Sequence, residues 1–489
     1  MTPEGVTLRH PDRVFIGGEW QQTHSGRFIE ILSPNSEEVV ATVAEADAED
    51  MDRAVAAARE AFDHGPWPQL SPADRGAALA RMTDILERRI PELCISWTSQ
   101  VGGLASFAPM MHGGAIAQLR MIAGLGTGFT FVEKRKTPGA EAAVIAHEPV
   151  GVVAAIAPWN APFGIMVAKV GYALVAGCSV IMKPSPETPL EAYIIAEAAE
   201  EAGIPAGVVN LVTGEREASD HLVQNPGVDK VSFTGSTAAG IRIGEVCAGR
   251  VARCTLELGG KSAAIIRDDM PTGQAAQILG NTITIMSGQV CAMLSRAIVP
   301  AHRHDEMADA IAAVMKDLRI GHSTDPETQL GPLAMKRQLE RVEMYLDEGR
   351  KSADLVTGGG RPAHMNKGYF IEPTLFANVD NSSRIAQEEI FGPVLCLIPA
   401  EDEEDAIRIA NDSNYGLNSS VLTHDSQAAY RIARRIRAGG FGQNGMKLAF
   451  DLPFGGFKQS GIGREGGPEG IIGYLETKTM LLDGDPGAL

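Results

Sequence analysis

Between Val150 and Ala248 the chain alternates short apolar runs with helix-patterned segments, and this alternation restricts its fold more than any other feature. Val150 to Ala157 reads as a strand, Gly164 to Ala176 as a helix and Ser179 to Met182 as a strand. Leu190 to Glu201 follows as a helix, Val208 to Val212 as a strand and Ala218 to Gln224 as a short helix. Lys230 to Thr234 and Thr237 to Ala248 complete the series. Strands of this length joined through helices build βαβ units and a parallel, doubly wound sheet. The pattern restarts after Gly260 with Ser262 to Ile266, Gln274 to Met286, Arg296 to Val299 and His302 to Leu318, which predicts a second α/β domain. Ahead of the first series, Val14 to Trp20 reads as a strand and turn and Phe28 to Leu32 as another strand. Ala48 to Phe62 and Ala73 to Leu93 read as amphipathic helices. Phe129 to His147 and Gly473 to Leu482 are extended and stand outside the alternation.

Composition removes several function classes. A chain of 489 residues is long enough for about three domains. Its 43 basic against 61 acidic residues give a net charge of -18, which opposes nucleic-acid binding through a basic face. Six scattered cysteines form no C-x-x-C pair, so neither a disulfide framework nor a metal site is expected. Met1 to Arg13 has no apolar core of a secretory signal. Pro149 to Ala168 lacks charge but is interrupted by Pro158, Asn160 and Pro162, which argues against a membrane span. A cytoplasmic protein with reduced thiols is expected.

Three segments carry reactive chemistry. Cys291 follows Gly288-Gln289-Val290, Glu257 lies in Leu256-Glu257-Leu258-Gly259-Gly260-Lys261, and Asn160 ends Pro158-Trp159-Asn160. A thiol attacks carbonyls, an amide holds an oxyanion, and a carboxylate in an apolar setting activates water. Singly, each has an ordinary reading: a buried small residue, a turn residue, a strand-end glutamate. Cys291 also needs help to ionise, from a helix N-terminus or a nearby base. No G-x-G-x-x-G follows a strand, so a nucleotide phosphate would need another cradle. Phe233-Thr234-Gly235-Ser236 leaves a strand and opens a helix, which offers free N–H groups and the Ser236 hydroxyl, or simply a helix cap. Lys183-Pro184-Ser185 ends a strand, where open α/β sheets place ligand contacts.

Together, in this order, these phrases resemble the aldehyde dehydrogenase superfamily of the non-phosphorylating, NAD(P)-dependent, hydrolytic type. Glu388-Glu389-Ile390-Phe391-Gly392-Pro393-Val394 and Pro453-Phe454-Gly455-Gly456-Phe457-Lys458 extend the likeness over nearly the whole chain. The resemblance implies Cys291 as nucleophile, Asn160 as oxyanion donor and Glu257 as base, with Lys169 and Glu465 relaying its proton. It assigns cofactor contacts to Pro158, Trp159, Lys183, Ser185, Glu187, Phe233, Gly235, Ser236, Gly259, Glu389 and Phe391. In NAD-preferring relatives a glutamate stands three residues after the lysine; here Pro186 stands there and Glu187 follows. Its charge would still repel a 2′-phosphate, which favours NAD and leaves NADP open.

The implied architecture has two doubly wound parallel-sheet domains, one cofactor-binding and one catalytic, with a small β oligomerisation element. Residues 1–127 and 148–257 would bind the cofactor, 128–147 would form an oligomerisation hairpin, and 258–472 would form the catalytic domain. Residues 473–489 would join the hairpin across a subunit interface in a homodimer or homotetramer. Ala161, Ile165, Val290, Ala292 and Phe450 would line the aldehyde tunnel, and many relatives carry a bulky aromatic where Ala161 stands. An uncharged aldehyde of medium or larger size is the expected substrate. The rivals are a CoA-acylating semialdehyde dehydrogenase, which needs no hydrolytic base, a cysteine hydrolase or acyltransferase with a histidine base, and a non-catalytic protein of the same fold.

Overall fold

The computed structural model describes residues 2–487, so Met1 and the last two residues of the expected first and last segments lie outside it. The first alternation folds as expected. An eight-stranded sheet runs in the order 461–462, 253–257, 230–234, 152–156, 179–183, 209–211, 14–16, 19–21, and its five central strands are parallel. Val153 and Ala155 face one apolar cluster while Val152, Ala154 and Ile156 face another, the period of two that a strand buried on both faces requires. Helix Pro162–Ala176 is apolar around most of its circumference, and every position except Gly164 and Ile165 is buried, Lys169 included.

The second sheet has seven strands in the order 354–357, 374–377, 394–400, 294–300, 262–266, 419–422, 442–443, parallel except for its first pair. A third sheet pairs 475–482 with 142–149 and 142–149 with 132–135, all antiparallel. The hairpin and the C-terminal strand are thus both present, but they pair within one chain. The expectation that they meet across a subunit boundary is corrected by an eight-residue register from Leu475↔Pro149 to Leu482↔Ala142.

Two further details differ from the sequence reading. The segment read as one helix over Ala73–Leu93 is two, Pro72–Arg88 and Ile90–Val101, because Arg89 leaves helical geometry and Pro91 has no N–H to continue the ladder. The segment 258–472 is also not confined to the second sheet. Gly461 and Ile462 return to pair with Glu257 and Leu256 in the first sheet.

Arg296, 1% exposed in the strand Leu294–Pro300, ties the second domain together. Its guanidinium donates to the carbonyls of Lys261, Ile409 and Ala410 and to Asn381 Oδ1. Arg296→Ala should cost about 3 kcal/mol, since three buried carbonyls lose their donor. Urea unfolding followed by circular dichroism checks this, with a midpoint lower than that of the unsubstituted protein.

Candidate active site

In the first sheet the chain winds outward through 179–183 and 209–211, then crosses back to 230–234 on the other side of 152–156. Ligands bind such a sheet at the carboxyl ends of the strands flanking this reversal. Pro158, Trp159 and Asn160 follow one flanking strand, and Gly235 and Ser236 follow the other. Lys183 and Glu257 end strands nearby. The second sheet presents its opposite edge. Gly259 and Gly260 precede 262–266, Cys291 precedes 294–300, and Glu389 and Phe391 precede 394–400.

Cys291 follows a contorted segment. Met286, Ser287 and Gly288 all have left-handed backbone angles (φ 50°, 56° and 74°). Two consecutive non-glycine residues in that region store strain of the kind found at functional sites. Gly288 is obligatory for a second reason, since a Cβ there would lie 2.2 Å from Gly392 backbone atoms. The strain is held by Ser287 Oγ donating to Gly331 O (2.9 Å) and by Ala334 N donating to Gln289 Oε1 (2.9 Å). Asn160, 7% exposed, donates its Nδ2 to Gln289 O at 2.9 Å, two residues before the thiol. One amide hydrogen is used there and the other is free. The expected help for the thiol from a helix N-terminus is not found, and the Glu257 carboxylate is the group of basic character within electrostatic reach of it. Cys291 sits in a turn before a strand, and burial, followed by the Glu389 and Glu257 carboxylates, pushes the thiol up to about 12.

Glu257 is 3% exposed, and neither carboxylate oxygen has a hydrogen-bond partner. Burial, then the nearby Glu465 carboxylate, raises it well above the usual carboxylate range, and the cations of Lys169 and Arg464 oppose this only in part. Gly455 permits the Phe454–Phe457 loop to lie over it, because a Cβ there would approach Glu257 Oε1 to 2.6 Å. Lys169 donates to the Glu465 carboxylate and, at 3.2 Å, to Ser232 Oγ. Ser232 donates to Glu465 Oε1 (3.2 Å), and Tyr474 Oη donates to Ser232 (3.0 Å). Lys169 and Glu465 therefore meet beside Glu257, and Ser232 and Tyr474 extend the chain of hydroxyls behind them.

A cleft of about 910 Å³ opens between Ile156, Phe233 and the helix Thr237–Gly249. Ser236 caps that helix by accepting from Ala239 N (3.3 Å), which leaves the hydroxyl hydrogen available to an anion at the helix start. Gly235 packs against the Phe233 ring, where a Cβ would come to 2.5 Å. Glu389 lies against Gly259, where a Cβ would meet its carboxylate at 2.5 Å, and accepts from Gly260 N at 3.0 Å. Burial raises Glu389 to about 7. Trp159 and Phe391 meet edge-on at 5.3 Å, with Phe391 at φ 64°. Free helix N–H groups, a buried carboxyl and a flanking ring fit the phosphate, hydroxyl and nicotinamide of a dinucleotide.

Lys183 is buried, donates to Gly214 O (3.2 Å) and is lowered to about 8 by burial, with Glu187 and Glu215 opposing. The expected ribose acceptor is engaged elsewhere. Glu187 accepts from the Ser185 hydroxyl and pairs with Arg337 of the helix Lys336–Ser352.

On the aldehyde side, Ala161, Ile165 and Val290 are half-buried and Phe450 is exposed. Ala292 is 1% exposed with its carbonyl turned to Asn418 Nδ2 (3.3 Å), so it offers little surface to a substrate. Leu448, Leu452 and Met110 are exposed apolar side chains not anticipated from sequence. Gln289 was visible there only as part of a phrase. Ser232, Tyr474, Arg337 and Trp97 had no signal, because each acts from a remote element.

Residues 20–480 match the profile of the aldehyde dehydrogenase family. A geranial dehydrogenase from Castellaniella defragrans is 44% identical over 480 residues, covering 98% of this chain and 100% of that protein. The crystal structure of a Mycobacterium tuberculosis aldehyde dehydrogenase with NAD+ is 42% identical with a TM-score of 0.95, covering 99% of this chain and 100% of that one. A mutant of aldehyde dehydrogenase C from Pseudomonas syringae, in complex with NAD+ and octanal, is 38% identical with a TM-score of 0.94, covering 99% of both chains.

The buried Glu257 has a consequence for stability. Its folded pKa lies above the unfolded value of about 4.3, so the native protein loses stability as pH rises from that value through the raised pKa. Glu257→Gln has no such loss. The variant should therefore melt increasingly higher than the native protein as pH climbs through this window, and the gap should level off above it. Thermal scans of both proteins across pH 4 to 9 check the sign.

Proposed function

This chain belongs to the aldehyde dehydrogenase family, and on that premise we propose that it oxidises an uncharged aldehyde to the carboxylic acid through a thioester on Cys291. The observation that carries the reading is the Glu257 carboxylate, buried with both oxygens unpartnered and close enough to act on the Cys291 thiol. A structural carboxylate in such a place would be hydrogen-bonded.

Glu257 takes the thiol proton as Cys291 Sγ attacks the carbonyl carbon, and passes it to solvent through Lys169 and Glu465 before the hydrolytic step. The resulting oxyanion accepts hydrogen bonds from the free Nδ2 hydrogen of Asn160 and from the Cys291 backbone N–H. One such donor is worth about 3 to 4 kcal/mol of transition-state stabilisation. NAD, held against Ser236, Glu389, Trp159 and Phe391, supplies the hydride acceptor when bound. Glu257 then takes a proton from water, which attacks the thioester, and Lys169 with Glu465 passes that proton on. Glu257 also disfavours the CoA-acylating alternative, which needs no such base. The pairing of Glu187 with Arg337 leaves Lys183 to meet the adenosine ribose, so preference for NAD over NADP should be modest.

The third sheet supports a homodimer or homotetramer, since its outer strand Val132–Arg135 has an unpaired edge and Val132 and Leu481 are exposed. Six unpaired thiols fit a cytoplasmic location. Among the described residues no helix is long and apolar enough to cross a membrane.

Glu257→Gln should release one equivalent of NADH per site in a burst and then stall, because the amide cannot accept the proton. Rapid mixing followed by mass spectrometry of the intact protein should find the acyl adduct on Cys291, and Cys291→Ala should give no burst. Steady turnover by Glu257→Gln would place the base elsewhere.

Ala161 leaves space at the start of the helix Pro162–Ala176, and Leu448, Phe450 and Leu452 present an exposed apolar rim. Octanal and geranial, named with two relatives, are uncharged aldehydes of this size. kcat/KM should therefore be higher for octanal or an aromatic aldehyde than for succinic semialdehyde. Burying an unpaired carboxylate would cost several kcal/mol. Ala161→Phe should reduce kcat/KM selectively for the bulkiest aldehydes, and an unchanged ranking would remove Ala161 from the tunnel.

A further inference from the structure

Behind Asn160 lies a buried pair that the catalytic reading does not use. His112 in the helix Ala108–Gly128 and Glu191 in the helix Leu190–Glu201 have fully buried side chains, with Nε2 and Oε1 2.7 Å apart. His112 Nδ1 is 2.8 Å from Ala108 O, which only accepts, so Nδ1 carries a hydrogen. One further proton lies between Nε2 and Oε1, whichever atom holds it. The other carboxylate oxygen, Glu191 Oε2, accepts from Phe163 N at 3.1 Å.

Phe163 is the second residue of the helix Pro162–Ala176, and its N–H has no partner within the helix. A serine or aspartate at the cap position would normally satisfy such a group. This chain has Ala161 there, with no side-chain cap. The carboxylate of a neighbouring helix fills the role instead, three residues after the oxyanion donor. The same pair is linked to Asn160 from a second direction through Trp97. Trp97 Nε1 donates to the Asn160 carbonyl at 3.0 Å, and its ring meets His112 edge-on at 6.2 Å. His112 also packs beside the Phe163 ring at 5.5 Å.

We propose that His112 and Glu191 are positioning residues for the oxyanion donor: Glu191 caps the Phe163 N–H, His112 holds Glu191, and together they fix the turn that aims the Asn160 amide. The proposal rests on the reading of Asn160 as that donor. It needs the hydrogen-bond pattern rather than the charge. Glutamine at 191 can accept from Phe163 N–H and donate to a neutral His112 Nε2.

A double-mutant cycle on the NADH burst, measured with the full-length protein, separates positioning from general support. Glu191→Ala should slow the burst by about tenfold with KM for the aldehyde nearly unchanged, as expected for a reacting group displaced by a fraction of an ångström. In the Asn160→Ala background the same change should cost less than about twofold, because the group it aims is gone. Glu191→Gln should restore the burst to within about twofold of the native rate. If Glu191→Ala does not fold, the double variant His112→Leu/Glu191→Leu leaves no buried charge and removes the cap, and it should show the same loss. Equal losses in both backgrounds, a native burst in Glu191→Ala or the leucine pair, or failure of Glu191→Gln to rescue would overturn the positioning role. A native burst in Asn160→Ala would instead overturn the oxyanion reading beneath it.

Discussion

The hydrogen bond from Asn160 Nδ2 to the Gln289 carbonyl, 2.9 Å long, joins the carboxyl edge of one sheet to the amino edge of the other. Each partner is fixed on its own side. Asn160 follows a strand buried on both faces, and Gln289 closes a segment of left-handed residues held by Ser287 and Ala334. An isolated side-chain amide has many rotamers, and an isolated loop with two non-glycine residues at positive φ would relax. Joined, each restrains the other, so the amide and the thiol keep a set distance without a metal or a disulfide. The cost of the strained loop is met by the packing of both domains around it.

Burial shapes the chemistry on both sides of that bond. Lys169 and Glu465 neutralise each other within a network of hydroxyls, and Arg296 is surrounded by carbonyls and an amide. Those groups behave as buried polar atoms normally do. Glu257 does not, since neither of its oxygens has a hydrogen-bond partner although Lys169 and Arg464 are close enough to act on its charge. Hydrogen bonding separates these carboxylates more sharply than exposure does, because Glu191 and Glu257 are both buried and only Glu191 is hydrogen-bonded.

Much of this was legible in the sequence, and the exceptions share a cause. Strand and helix periodicity is a local property, so the series from Val150 to Ala248 could be read almost element by element. The contexts of Cys291, Glu257 and Asn160 were legible because each phrase serves backbone needs of its own, such as Gly288 before the thiol and Gly259-Gly260 after the carboxylate. What stayed hidden depends on encounters between remote segments. Nothing near Glu187 announces Arg337, and nothing near Glu191 announces His112, 79 residues away. The C-terminal strand was read as extended correctly, but its partner is chosen by proximity in the folded chain. The split at Arg89 was missed because apolar spacing continued through a proline that a helix tolerates only in its first turn.

The nearness of the half-buried Cys291 and Glu389 to the buried Glu257 also bears on the order of steps in the proposed reaction. Coulombic coupling is reciprocal: a carboxylate that raises the thiol is itself raised by a thiolate. With the thiol at about 12 and Glu389 at about 7 in the same enclosure, a second negative charge costs more than the first. In the proposed reaction the proton that leaves the thiol goes to Glu257, so that carboxyl is protonated while sulfur is anionic. Once sulfur is bound in a thioester it can no longer ionise, and Glu257 is free to pass its proton to Lys169 and Glu465. The base becomes available at the stage where water must be deprotonated. A carboxylate with two good hydrogen bonds would be ionised throughout and would lack this coupling to the state of the nucleophile. The unpartnered oxygens of Glu257 thus suit a carboxyl that must take up and release a proton within one turnover.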